Sequence, residues 1–324
     1  MLIRNASACI MIRDRQKRAA KMTLPTVSVA VFAYNEAKLI ADCLDSIEAC
    51  AGEAKLSVFV MINGCTDSTE QIVCDYAVMR PNVHPVVLRL GDKANAWNHY
   101  THEVSEPDAA IHAFIDGDVT ITRGSMAALV RSFADNPDAN GCGALPVGCR
   151  PRVVAFGRKL RDNREMAGNF YALRGSFVQE FRRRQVRLPI GIFGEDGLLT
   201  LLARWDLDRP PDVVPRIAVC ETAGFRYEPL SPWRPSDWRI ARNRMMRYAM
   251  RRQQVRMLYP LLWSQGVAAL PEHMADLYEQ RHALLTFEWR GVETLFDRIA
   301  IRQIRRDVAL GESAKAEDRA HVYS

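Results

Sequence analysis

The sequence predicts an α/β fold: a doubly wound, mostly parallel sheet flanked by helices, with a helical appendage at the C-terminus. Three observations carry this. Between residues 27 and 120, short apolar runs alternate with amphipathic stretches, the pattern of strand–helix–strand crossovers. The runs VSVAVFAY (27–34) and LSVFVMI (56–62) are rich in β-branched residues with little polar alternation, as strands covered on both faces are. Beyond Asp237 the chain reads as helix, through 236–256, 257–265 and 272–310.

The elements follow in order. Residues 36–50 put Leu39, Ile40, Cys43, Leu44 and Ile47 at helical spacing, and 67–79 turns Ile72, Val73, Tyr76 and Met79 inward. VVLRL (86–90) is a third strand, 94–104 a short helix, and AAIHAFID (109–116) a fourth strand. After residue 120 the order is looser, with helices over 123–135, 152–166, 176–185 and 195–205 and strands over 141–148, 171–175 and 216–221. Residues 1–24 read as a basic, disordered leader, 25–250 as one domain and 251–324 as a helical extension with a polar tail.

Composition narrows the function class. With 48% hydrophobic and 25% charged residues, the chain is that of an ordinary globular protein. No apolar run approaches the roughly 18 residues of a membrane-spanning helix, and the leader lacks the apolar stretch of a secretory signal. Eight cysteines without a C-x-x-C pair fit reduced thiols in a cytoplasmic setting, and Cys43 and Cys50 read as small core fillers. The net charge of +6 is modest, but arginines crowd 150–256, including the run Arg182–Arg184, which reads as solvated helix surface. Such a surface suits phosphates of a nucleotide, a lipid-linked acceptor or an anionic membrane. No nucleic-acid-binding signature accompanies the charge, so nucleic acid is not an expected partner.

In a doubly wound sheet, ligands meet the carboxyl ends of the strands. The fourth strand delivers Asp116-Gly117-Asp118 there. Two carboxylates separated by a glycine suit a hard divalent cation such as Mn²⁺ or Mg²⁺, which keeps coordination positions for a substrate diphosphate. Gly117 permits a tight turn between them. The first two strands end in Tyr34-Asn35-Glu36 and in Asn63-Gly64-Cys65-Thr66-Asp67. There Asn35 reads as a helix N-cap, and Asp67 with Glu70 as a capping box; contacts to base and ribose are the additional roles open to these loops. Lys93 could meet a phosphate, and Asn98 could hold a ribose or a loop backbone. GEDGLLT (194–200) opens a helix with Glu195 and Asp196, where acids are favoured by the helix dipole and where one could serve as a general base. Gly191, Gly194 and Gly197 suggest a flexible approach to it. His99 and His102 lack further ligands for zinc, and Trp233 and Trp238 could stack on an acceptor sugar or pack on the last helices.

The series VSVAVFAYNE (27–36), VFVMINGCTDST (58–69), KANAWN (93–98), AFIDGDV (113–119) and GEDGLLT (194–200) resembles family 2 glycosyltransferases of the GT-A fold, and FRYEPLSPWRPSDWRIARNR (225–244) resembles the stretch that follows. The resemblance covers about residues 25 to 250. It implies inverting transfer of a sugar from a nucleotide-diphosphate donor (UDP-, GDP- or dTDP-sugar) to an acceptor hydroxyl, in bacterial envelope or exopolysaccharide glycan assembly. By position, Ala33, Tyr34, Glu36 and Asp67 would line the nucleotide pocket, with Asn63 where many members carry an acid. Asp116 would hold ribose or metal, Asp118 would ligate the cation, and Arg242 and Arg244 would approach the diphosphate. Asp196 would be the catalytic base, with Glu195 orienting it or touching the acceptor.

Two departures refine this. Arg239-Ile240-Ala241-Arg242 is followed by Asn243, so the Q/R-x-x-R-W element of processive members is absent and addition of a single sugar is expected. No G-x-G-x-R motif follows the first strand, which disfavours a sugar nucleotidyltransferase. A catalytically retired nucleotide-sugar-binding module is disfavoured by the presence of Asp116, Asp118 and Asp196 together. The expected partners are the donor and a glycan or lipid-linked acceptor, with peripheral contact at the inner face of a membrane and a homo-oligomer contact through the C-terminal helices as further options.

Overall fold

The computed structural model of the chain describes residues 24–208, 215–228, 230–231 and 233–309. The expected leader and polar tail lie outside these residues. The strands are β1 (Thr26–Ala33), β2 (Lys55–Asn63), β3 (Val83–Leu88), β4 (Ile111–Asp116), β5 (Val119–Ile121), β6 (Gly141–Pro146), β7 (Phe170–Arg174) and β8 (Ile217–Tyr227). They form one sheet in the order β3-β2-β1-β4-β7-β6-β8-β5. The first four strands pair in parallel, as the crossover pattern predicts. β6 also runs parallel to β8, while β7 lies antiparallel to both β4 and β6, and β5 antiparallel to β8. The sheet is therefore mixed but mostly parallel.

The helices are α1 (Ile40–Glu48), α2 (Thr69–Val78), α3 (Lys93–His99, prolonged by a π-turn over Tyr100–Val104), α4 (Ser125–Asp135), α5 (Pro151–Asn163), α6 (Gly175–Arg183), α7 (Glu195–Trp205), α8 (Pro235–Gln265), α9 (Met274–Arg281) and α10 (Glu293–Ala309). Period-two alternation along β1 divides the core. Val27, Val29, Val31 and Ala33 face one apolar cluster with α1, α2 and α4. Ala30 and Phe32 face another, built with α3, α6, α7 and α8. Cys43 and Cys50 are fully buried, as expected of core fillers.

Some elements differ from expectation for identifiable reasons. β3 starts three residues earlier than its apolar pattern suggests and contains Pro85, which an edge strand tolerates because one side needs no ladder donor. β8 extends to Tyr227 because its second half pairs with β5, a short strand that the sequence reading lacked. α8 does not stop at residue 256 but runs across Pro260 to Gln265. An interior proline costs about 3 kcal/mol; burial of Leu258, Leu261 and Leu262 offsets it. The stretch 272–310 is not one helix: α9 ends at Arg281 and α10 begins at Glu293. Arg182 is not solvated surface either, since its guanidinium donates to the Thr101 and Ser105 carbonyls at 2.6 and 2.9 Å. The neighbouring Arg183 and Arg184 do lie outside, paired with Glu180.

One buried group gives the fold a pH dependence. His112 on β4 is fully buried, with Nδ1 3.1 Å from the Tyr100 hydroxyl, which itself donates to Ser28 Oγ at 2.8 Å. Its Nε2 has no partner. Burial, reinforced by the Arg182 guanidinium, lowers its pKa to about 3. The unfolded chain therefore takes up this proton near pH 6.5 and the native state does not. Stability is fully present above that pH and is lost as pH falls from about 6.5 towards about 3. Urea denaturation of the parent should lose about 2 kcal/mol between pH 7 and 5 from this group alone. His112→Gln, which cannot titrate, should lose correspondingly less; equal losses would show that the imidazole is not the source.

Candidate functional site

β1 and β4 run side by side with Phe32 opposite Asp116, so their ends reach the same crevice. The Gly117 amide donates to the Phe32 carbonyl at 2.8 Å. A side chain at Gly117 would press on that carbonyl at 3.0 Å and on the Ala33 Cα at 3.3 Å, so it would push the Asp116–Asp118 turn off β1 by a few tenths of an ångström. Ala33 is itself fully buried beneath this turn, where it supports the crevice rather than lining it.

Lys93 joins the two halves of the site. Its Nζ lies 2.5 Å from Asp116 Oδ1 and 2.8 Å from Glu195 Oε1, and donates to the Gly168 carbonyl at 3.4 Å. The two carboxylates outweigh burial and hold the ammonium charged well above the usual lysine range. Burial pushes Asp116 up to about 7, against the pull of Lys93. The adjacent Lys93 ammonium favours the ionised form of this carboxylate.

The helix carrying Lys93 is anchored on every side. Asp92 caps α3 by accepting from the Asn95 amide at 2.8 Å, and its other oxygen accepts from the Gly191 amide at 2.8 Å. Asn63 accepts from the Asp92 amide at 3.0 Å. Asn98 clamps residue 188 through both its carbonyl and amide groups, each at 2.8 Å. Asn63 and Asn98 are thus buried scaffold, not groups turned towards a nucleotide; of the two options for Asn98, the structure uses the loop backbone.

The ends of β1 and β2 are laced to one another. Asn35, at φ 55°, accepts from the Thr66 amide at 2.8 Å. Asp67 accepts from the Ala37 amide at 3.2 Å and from the Thr69 amide at 3.0 Å, and Thr69 Oγ1 accepts from the Glu36 amide at 2.8 Å. This overturns both capping expectations. α1 begins at Ile40 after Leu39, and α2 after Ser68, neither with a side-chain cap. Asn35 fastens loop to loop, and Asp67 ties the loop at Ala37 to the first amide of α2. Despite slight burial, hydrogen bonds from Thr69 and Ala37 hold Asp67 below its usual pKa. Glu36 is pushed up to about 8 by burial and by the Asp118, Asp116 and Asp67 carboxylates. The Tyr34 hydroxyl is buried without a hydrogen-bond partner.

Glu195 and Asp196 open α7 behind Gly194, whose φ of +80° a side chain would strain. Asp196 accepts from the Gly197 amide at 2.8 Å and the Gly168 amide at 3.3 Å, and Arg251 Nη1 lies 3.3 Å from its Oδ1. The Arg251 side chain runs directly over Gly194 and Gly197. These glycines therefore clear a path for a guanidinium, a reason different from the flexibility first expected. The adjacent acids are pushed apart. Both are buried, but the Lys93 ammonium draws Glu195 down, whereas burial and the Glu195 charge raise Asp196 against Arg251 and Lys93. A carboxylate with raised proton affinity is the better base.

On α8, Arg244, Arg247 and Arg251 recur at i, i+3 and i+7 and so share a face. Arg244 and Arg247 both pull on Asp118, which stands exposed at the mouth of the crevice while burial of its flanks raises its pKa. Arg242 lies around the helix from them, exposed, donating to Asn243 Oδ1 at 3.4 Å. The site thus gathers Glu36, Lys93, Asp116, Asp118, Glu195, Asp196 and Arg244, and leaves Arg242 outside. Arg247 and Arg251 were missed, although helical spacing from Arg244 pointed to both.

Among the described residues, no three His, Cys, Asp or Glu side chains form a metal cage. What the crevice offers is a pair of hard oxygen donors, Asp116 and Asp118, beside Glu36, whose pKa is raised first by burial and then by these neighbouring carboxylates. That donor set fits a divalent cation which completes its sphere from a diphosphate and water.

Comparison with known proteins gives the following similarities. Glycosyltransferase AglE of Haloferax volcanii is 31% identical over 97 residues, 30% of this chain and 31% of that one, so the match spans about a third of that relative. Among solved structures, TarS 1-349 of S. aureus shares 14% identity over 90% of this chain and 93% of its own, with a TM-score of 0.49. The mannosyltransferase PcManGT of Pyrobaculum calidifontis, in complex with GDP-Man and Mn²⁺, shares 21% over 98% and 86%, with a TM-score of 0.48. The profile of the family described as Glycosyl transferase family 2 matches residues 28–194, slightly more than half of the 324 residues. The chain belongs to glycosyltransferase family 2.

Proposed function

We propose that this glycosyltransferase moves a single sugar, with inversion, from a nucleotide-diphosphate donor to an acceptor hydroxyl, with Asp196 as the base. The observation that carries the reading is the convergence on Lys93 and Gly168: one ammonium touches both Asp116 and Glu195, and the Gly168 amide touches Asp196. Carboxylates from two distant parts of the chain thereby share one crevice, joined by a lysine from a third.

The roles follow from position. Tyr34, Glu36 and the Asp67 loop flank the nucleotide, and the buried, unpartnered Tyr34 hydroxyl is a group that a bound ligand would satisfy. Arg244 and Arg247, on the face of α8 above Asp118, receive the diphosphate. Mn²⁺ or Mg²⁺ bound at Asp118 and Asp116 would offset the charge that grows on the leaving nucleoside diphosphate. Lys93 supplies fixed positive charge on the opposite side of Asp116. Asp196, steadied by Gly168, Gly197 and Arg251, takes the proton of the acceptor hydroxyl as it attacks the anomeric carbon. Glu195, kept ionised by Lys93, orients that acceptor. The α/β unit over about 25–250 would carry this chemistry, and the helices beyond it would bound the side on which a glycan or lipid-linked acceptor enters.

Incubation with a panel of UDP-, GDP- and dTDP-sugars and Mn²⁺, followed by mass spectrometry, tests the reading. Slow release of a nucleoside diphosphate and free sugar is expected from at least one donor. Binding without turnover would mark a retired binding module, and pyrophosphate release from a triphosphate would mark a nucleotidyltransferase.

A further inference from the structure

We propose that the outer face of α10, together with the loop that leads into it, docks on an anionic lipid surface. The inner face of α10 is used up in packing: Thr294, Asp297, Ala300, Ile301 and Ile304 are buried, and Asp297 receives the Arg252 guanidinium at 2.7 Å. The outer face of a helix on a globular protein is ordinarily polar. Here it is not. Leu295 is 59% exposed and Ile299 39%, and the loop adds Trp289 at 81%, Val292 at 75% and Phe287 at 44%. The guanidinium of Arg298 sits 4.9 Å from the centre of the Phe287 ring, which folds the loop onto the same face.

The charge on this face has one sign. Arg298, Arg302, Arg305 and Arg306 are all exposed. Among the described residues none of the four enters an ion pair, whereas the nearby acids are already engaged: Glu288 by Arg256 and Arg290, Glu293 by Arg252. Asp307, the remaining acid of the helix, is half-buried. Positions 295, 298, 299, 302 and 306 follow the three-and-four spacing of a single helical stripe. A stripe of aliphatic side chains and arginines, with a tryptophan and a phenylalanine at its margin, matches a bilayer interface. The apolar groups enter the headgroup–acyl boundary and the guanidiniums meet lipid phosphates. A second copy of the chain fits this face poorly, since two-fold contact would set four arginines against four with only acids already engaged by other arginines beside them. The proposal does not depend on the donor or on the identity of the base.

Co-sedimentation with vesicles tests it. The full chain should bind vesicles containing phosphatidylglycerol at least about tenfold more than pure phosphatidylcholine vesicles, and the difference should shrink as salt is raised. The double variant Trp289→Ser with Leu295→Ser should bind neither. The triple variant Arg298→Gln, Arg302→Gln, Arg306→Gln should lose the preference for anionic lipid. All substituted side chains are exposed and outside the crevice, so thermal melting and donor hydrolysis in solution should match the parent. Absence of lipid binding by the parent would overturn the proposal, as would variants that bind as the parent does. So would concentration-dependent dimerisation that the same substitutions abolish, because the face would then belong to a second copy.

Discussion

Asp196→Asn should lower kcat by about a thousandfold while leaving the dissociation constant for donor within about twofold, because a positioned base contributes 10²–10⁴ in rate. Asparagine keeps the shape and one acceptor oxygen, so the shorter bond from the Gly197 amide can persist, whereas the 3.3 Å bond from Gly168 loses its acceptor. What disappears is the proton acceptor. The pH profile supplies a second readout. In the parent, kcat/KM should fall as pH drops through the folded pKa of Asp196, which burial and Glu195 raise above the usual aspartate value. The variant should lack that acid limb. Unchanged turnover would move the base elsewhere, with Glu195 the first alternative. A companion variant isolates the positioning role of Arg251. A methyl group at Gly197 would land on the Arg251 guanidinium, the mobile end of a long side chain. Gly197→Ala should therefore fold, even gaining up to about 1 kcal/mol of helix propensity, while pushing Arg251 away from Asp196. Losing that cation raises the proton affinity of Asp196, so the acid limb should move to higher pH. A limb that stays in place would mean that Arg251 merely packs there.

The legibility of this fold tracks how local each determinant is. β1, β2, β4 and α7 were readable because a buried strand or an amphipathic helix declares itself within six to eleven residues. β5 was not, since three residues carry no period and exist as a strand only because β8 lies opposite. The same division runs through the site. Asp116, Asp118 and Asp196 could be named from strand-end chemistry and family resemblance, and the structure brings them into one crevice. The tasks of Asn63, Asn98 and Asn35 were not fixed by local sequence, that of Asn98 standing open between ribose and loop backbone, because an amide's use is fixed by what it faces. Their partners lie 29, 90 and 31 positions away. No local pattern encodes such pairings. Lys93 was read as a phosphate ligand in isolation; its contact with two carboxylates 23 and 102 positions distant is purely tertiary. Arg247 and Arg251 were within reach, because the spacing that placed Arg244 on α8 also places them.

Asp118→Ala should abolish the gain in nucleoside-diphosphate affinity that Mn²⁺ confers, a loss of at least about a hundredfold for a cation whose charge stabilisation is worth several kcal/mol. The choice of Asp118 over Asp116 follows from Lys93. One oxygen of Asp116 is engaged with the ammonium at 2.5 Å, whereas Asp118 stands open at the mouth beneath Arg244 and Arg247. Asp118 is thus the carboxylate with unshared oxygens. Its removal leaves Lys93, Glu195 and the arginines in place, so metal-free binding of UDP or GDP should stay within a few-fold of the parent. It should even tighten slightly, because one negative charge leaves the diphosphate's path. Calorimetry with and without Mn²⁺ separates the two contributions. A variant that keeps the full metal-dependent gain would show that the cation is held elsewhere. Asp116→Ala cannot make this distinction. It would strip Lys93 of a partner and free its charge for the diphosphate, so a lost metal contact and a gained ammonium contact would offset one another. Only the exposed member of the pair reports on the metal alone.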